Sequence, residues 1–435
     1  MKKVLHSILL LLFFAITATA QDDVYPAPAY KGLLFITNGT VHTGTGQVLD
    51  NTTIQVNNGK IEKIGTDIPL PADNVKIFDA KGKHVYPGLI LSDCDLGLRE
   101  IANGVRGSND YRELGELNPN IRSIVSYNTD SKIINTLKAN GILLANITPQ
   151  GSFISGSSSV VQLDAWNWED AAYKTDNGIH VTFPSFLPQR GPRFFTLQQP
   201  PVDLEKQALQ KIDALKNFLS EAKSYLQESE HAQTNLKFAA VKGLFDKTQK
   251  LFIHADQVKQ MLAAVDFVKE FGFAVVIVGG NESWQIAPLL KQHNIAVILG
   301  PEHELPATED EDVDQPYKTP AALQKAGVLF ALNDNTANTR FRNLSFNAGT
   351  AAAYGLTKEE ALSAITLNAA KILGIDDKTG SIEVGKDANI IVSEGDILDM
   401  KSSIVTYAFI QGRMVSLTNK QTQLYERYKG KYELK

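Results

Sequence analysis

The sequence predicts an α/β protein in which a (β/α)8 barrel is joined to a composite β-sandwich, and three observations lead there. Between residues 85 and 332, eight short apolar runs alternate with amphipathic stretches, the pattern of βαβ units laid into a parallel sheet. Eight such strands close a barrel. Both ends of the chain read instead as short β-rich runs broken by turn dipeptides, so one sandwich draws on both termini.

The first twenty residues read as a secretory leader: Lys2 and Lys3, an apolar run from Val4 to Ile16, then Ala18-Thr19-Ala20 before Gln21. Cleavage near Ala20 implies export to a periplasmic or extracellular space. Strand-like runs at Leu33–Ile36, Thr52–Val56 and Ile61–Ile64 end at Asn38-Gly39, Asn58-Gly59 and Gly65, which is hairpin grammar. Residues 389–392 and 404–410, with a Gln411-Gly412 turn, repeat that texture. The barrel strands are expected at 85–91, 141–147, 158–163, 178–183, 250–254, 274–278, 295–299 and 328–332. Helices are expected at 203–230, 256–271, 282–293, 319–326 and 344–354, where apolar residues recur at three- and four-residue spacing. A further helix over 358–373 opens on a Thr357/Glu360 capping box and stops at Gly374. Residues 184–201 and 307–316 read as long loops. The division that follows is a leader at 1–20, a sandwich from 21–86 and 376–435, and a barrel from 87–375.

Composition narrows the function. Lys+Arg 43 against Asp+Glu 48 gives a net charge of -5, which leaves no basic field for nucleic acid. No stretch after the leader approaches the ~20 unbroken apolar residues of a membrane span. Cys94 is the single cysteine, so no intramolecular disulfide forms, and the carboxylates on either side disfavour its thiolate.

Several motifs resemble one family. Asn38-Gly39-Thr40-Val41-His42-Thr43-Gly44, Asp79-Ala80-Lys81-Gly82-Lys83 and Tyr86-Pro87-Gly88-Leu89-Ile90 resemble the opening of the amidohydrolase superfamily, closest to its imidazolonepropionase-like members. Ile365-Thr366-Leu367-Asn368-Ala369-Ala370 and Gly380-Ser381-Ile382-Glu383-Val384-Gly385-Lys386-Asp387-Ala388-Asn389 resemble its closing segments. The resemblance implies a metal-dependent TIM-like barrel that hydrolyses carbon–nitrogen bonds of a small cyclic amide, imide or dipeptide-like molecule. It also implies a homodimer.

The family's His-x-His pair falls here on Asp93-Cys94-Asp95, so the metal site reads as degenerate. The family's fifth-strand histidine matches His254, and its proton-moving aspartate matches Asp334. Its sixth-strand histidine is replaced by Gly279-Gly280, where a missing Cβ would admit a ligand close to the backbone. Two readings stand. In one, Asp93, Asp95 and His254 hold a zinc-like divalent cation while Asp334 moves the proton, with Gly280 and His303 near the substrate. In the other no metal is held, and the chain is a catalytically silent ligand-binding protein or the partner of an intact paralogue. His180 lies in an expected strand, and the sequence leaves its direction open.

Overall fold

The computed structural model describes residues 24–73, 75–100, 110–151, 153–187, 203–306, 310–335 and 339–432. The expected leader and most of the 184–201 loop lie outside these residues. Strands β1 (Leu33–His42), β2 (Val48–Asn57), β3 (Lys60–Gly65), β4 (Val75–Asp79) and β5 (His84–Pro87) form the first part of one sheet. β1 carries β2 along one edge, while its other edge pairs with β4 over its first half and β5 over its second. A register shift between Ile36 and Gly39 marks the division. Here Asn38 takes a φ of 55°, a conformation Asn tolerates better than most residues.

The remaining strands of that sheet come from the far end of the sequence. β14 (Ile390–Ser393) pairs antiparallel with β5 and with β15 (Val405–Ile410), and β16 (Arg413–Met414) follows at the edge. Leu34, Ile36, Ile54, Val56, Val85, Ile390 and Phe409 make its buried core, so the composite sandwich expected from the two ends is present. Pro87 ends β5, Gly88 donates its amide to Asn389 O, and β6 (Leu89–Cys94) begins the barrel at once. A Cβ on Gly88 would lie 2.7 Å from Leu143 Cδ1, so glycine lets sheet and barrel approach at this crossing.

The barrel continues through β7 (Ile142–Ile147), β8 (Ile154–Gln162), β9 (Ala172–Thr182), β10 (Lys250–Ala255), β11 (Val275–Gly279), β12 (Ala296–Leu299) and β13 (Phe330–Leu332). Each strand neighbours the next in sequence. Eight barrel strands exist, but the first, expected at 85–91, is split between β5 of the other sheet and β6, and the third is reversed: β8 runs antiparallel to both β7 and β9. Chain length explains it. Only residues 148–153 separate β7 from β8, whereas a parallel crossover needs about a dozen or more. β11 and β12 are continuous apolar runs because they are covered on both faces.

Helices α1 (Lys132–Ala139), α2 (Leu204–Gln227), α3 (Val258–Phe271), α4 (Ala287–Gln292), α5 (Gln315–Ala326) and α6 (Leu344–Ala353) lie between or after the strands. α5 starts inside the segment expected as an acidic loop. The single helix expected over 358–373 is two, α7 (Lys358–Ala364) and α8 (Leu367–Leu373). The capping box is present at Thr357 and Glu360. The break comes where the Ile365 carbonyl turns outward to accept the amide of Ile90 in β6, and Thr366 Oγ1 donates back to Leu362 O. A helix end is thereby bonded to the first barrel strand.

β13 and β6 meet at the seam through a side chain. Asn333 Oδ1 accepts the amides of Ser92 at 3.0 Å and Asp93 at 3.2 Å, and its Nδ2 donates to Asp93 O at 2.8 Å. Asn333→Ala would leave these buried groups without that partner, and we expect a loss of about 2–4 kcal/mol in urea unfolding. A loss below about 1 kcal/mol would show that the seam holds without it.

Candidate functional site

Catalytic groups of such barrels gather at the C-terminal ends of the strands. Asp93 sits near the end of β6, His180 near the end of β9, His254 near the end of β10, and Asp334 just past β13. His180 pairs in register with Phe252, and Thr182 with His254, so alternate residues put both imidazoles on one face. His180 stacks flat on Phe252 with ring centroids 4.6 Å apart, which fixes its plane.

The three side chains converge. His180 Nδ1 lies 3.0 Å from His254 Nε2 and 4.0 Å from Asp93 Oδ1. One ligand atom from each lies within 4.8 Å of the others. Asp93 Oδ2 accepts from Asn335 Nδ2 at 3.1 Å, whereas the buried Oδ1 has no hydrogen-bond partner among the described residues. Donor atoms around a zinc-sized ion stand about 3.4 Å apart, so this set fits a divalent cation.

A hydrogen-bond chain behind His180 sets its proton. Ser158 Oγ donates to Asn177 Oδ1 at 2.8 Å, because a carbonyl oxygen only accepts. Ser158 therefore accepts from His180 Nε2–H at 2.9 Å, which leaves the Nδ1 lone pair facing Asp93 and accepting from His254 Nε2–H at 3.0 Å. Burial, reinforced by His254, holds the His180 imidazole well below its usual titration range, so the ring is neutral at physiological pH.

Asp334 is fully buried and accepts from Asn347 Nδ2 at 3.3 Å. It stands between Asn333 and Asn335, both of which bond to Asp93. Asp95 takes another direction: its Oδ2 lies 2.8 Å from Arg99 Nε, and burial, opposed by that guanidinium, pushes its carboxyl up to about 6. The structure does not bring it into the Asp93–His180–His254 group. Cys94 pairs with Ile147, so Asp93 and Asp95 share a face with Asn146 and Thr148. The side chains of Asn146 and Thr148 are buried without hydrogen-bond partners among the described residues, giving the barrel a polar floor. Burial raises the Cys94 thiol well above its usual range, which agrees with its expected inertness.

Gly280 has φ 65° and donates its amide to Ala255 O at 2.8 Å. A Cβ on Gly279 would meet Asp256 Oδ1 at 2.4 Å, so the glycine pair serves the turn out of β11. His303 is exposed, with Nε2 2.8 Å from Thr350 Oγ1 and its ring edge-on to Tyr317. Neither joins the triad. His180 is the functional residue left open by the sequence, because its direction depends on the register between β9 and β10.

Known proteins share this architecture. A profile of the amidohydrolase family matches residues 213–415. Imidazolonepropionase of Thermoplasma volcanium is 26% identical over 376 residues, covering 82% of this chain and 88% of that protein. Its counterpart in Treponema denticola is 25% identical over 373 residues, covering 80% and 86%. The crystal structure of an amidohydrolase from Thermotoga maritima superposes with a TM-score of 0.75 at 27% identity, covering 88% of this chain and 99% of that one.

Ser158→Ala removes the acceptor that fixes the His180 tautomer. Its affinity for Zn2+, measured by competition with a chromophoric chelator, is expected to fall about 10–100-fold with folding unchanged. An unchanged affinity would remove His180 Nδ1 from the ligand set.

Proposed function

We propose that this chain, a hydrolase of the amidohydrolase superfamily in its imidazolonepropionase-like group, cleaves a carbon–nitrogen bond of a small cyclic amide, imide or dipeptide-like substrate with the aid of one divalent cation. The observation that carries this reading is the convergence of the buried Asp93 Oδ1 and His180 Nδ1 with the partly buried His254 Nε2, near the buried Asp334. The relatives' name, imidazolonepropionase, supports a small heterocyclic substrate.

Asp93, His180 and His254 would hold the cation. When bound, such an ion polarises a carbonyl oxygen and lowers the pKa of water. Asp334 would take a proton from the attacking water and pass it to the leaving nitrogen as the C–N bond breaks and the new C–O bond forms. Asn347 bonds to one of its oxygens and orients the carboxylate for that transfer. Asn335 restrains Asp93 by binding Oδ2, so that Oδ1 faces the imidazoles. The basic start and apolar run of residues 2–16 support export, and the mature chain would begin at Gln21 by mass spectrometry.

Elemental analysis of protein purified without chelators should find about one divalent ion per chain. Asp334→Asn should keep that ion and lower kcat by about 10^2–10^4 on any cyclic amide turned over, whereas Asp93→Ala should lose ion and activity together. A protein that binds no divalent ion on titration would overturn the reading.

A further inference from the structure

The loop after β12 carries a buried acid that the hydrolytic group does not use. Glu302 is 3% exposed, and neither carboxylate oxygen has a protein hydrogen-bond partner among the described residues. It lines a narrow cleft open to solvent, together with Asn281, Leu299, Glu304, Leu305 and Glu311. The cleft opens at the ends of β11 and β12, between the strand that carries His254 and the one that precedes Asp334. Glu304 lies within electrostatic reach of Asp256, Arg340 and Asp334, so the guanidinium of Arg340 partly offsets the acids at this mouth.

A carboxylate with two unsatisfied oxygens at the base of a partly apolar cleft is costly to ionise without a partner. Burial accordingly pushes the Glu302 carboxyl well above the usual range. A cationic head with several N–H donors satisfies both oxygens at once, and Leu299 and Leu305 offer contact to an apolar stem behind it. Glu304 and Glu311 add negative potential on the way in.

We propose that this cleft is a specificity subsite for a cationic nitrogen group, an ammonium or a guanidinium on a short alkyl stem, with Glu302 as the residue that binds it. The proposal rests on the hydrolase reading only in calling the bound group part of a substrate. A molecule long enough to seat its cationic head here would present its scissile bond toward Asp334 and His254. The ionised carboxylate is the binding form, so any proton held by Glu302 leaves as the cation enters.

The test is calorimetric titration of the full chain with n-butylammonium and n-butylguanidinium chlorides, with neutral n-butylurea as control. Repetition in buffers of different ionisation enthalpy should show the wild type releasing more protons per bound cation than Glu302→Gln. Affinity should weaken as pH falls. Glu302→Gln should bind at least about tenfold more weakly, equivalent to about 1.4 kcal/mol, and release no proton. Preference for one salt tells an ammonium site from a guanidinium site. Butylurea binding as well as the salts, or no saturable binding of either salt, would each overturn the proposal. The contrast between the salts and butylurea on the wild type keeps the test decisive if the variant folds poorly. Because binding is what is read, a hydrolytically inert protein can still pass, and an active hydrolase can still fail.

Discussion

The side-chain bridge from Asn333 to the backbone of β6 is the constraint on which the site depends. β6 and β13 are the first and last barrel strands, separated in sequence by most of the chain. Three hydrogen bonds from one amide fix their relative height. That height places Asp93 on one side of the join and Asp334 on the other. Asn335 then reaches across to Asp93, so the two acids that matter most are indexed to each other by the residues flanking one of them.

Burial governs the chemistry of these groups more than formal charge does. His180 is enclosed and neutral, its proton committed to Ser158, and it offers a lone pair toward Asp93. Asp95, one residue beyond Cys94, is equally enclosed but meets Arg99. Two acids on the same face of one strand thus acquire different duties: Asp95 closes an ion pair, and Asp93 keeps one oxygen available inside the barrel. Low surrounding polarity strengthens each of these choices, since an unmatched charge is most expensive where water is excluded.

Much of this was legible in the residues. The eight apolar runs gave the strand count, the turn dipeptides at both ends gave the composite sheet, and counting from Pro87-Gly88 put Asp93 and Asp95 at the end of the first strand. Thr357 and Glu360 announced a helix start correctly. What was hidden depended on contacts between distant segments. The break after Ala364 arises because Ile365 turns its carbonyl to β6, which no local propensity encodes. The inward turn of His180 required the register of β9 against β10. The reversal of β8 was accessible in principle, since six residues between β7 and β8 are too few for a crossover helix. Its consequence for the site, a mid-strand Ser158 able to orient His180, was not.

The pairing of β5 with β14 sets an order of events for a chain made from its N-terminus. Residues 84–87 are synthesised early, yet their partner at 390–393 appears only after every barrel strand has emerged. Until then β5 presents an unpaired edge, the kind of surface that seeks another strand. Closing so long a loop is slow, and the barrel lies within the loop being closed. A chain cut short before residue 390 would therefore hold all eight barrel strands and still carry an incomplete sheet, prone to association and open to proteolysis. The last strands of the sequence thus act as a completeness check on everything translated before them.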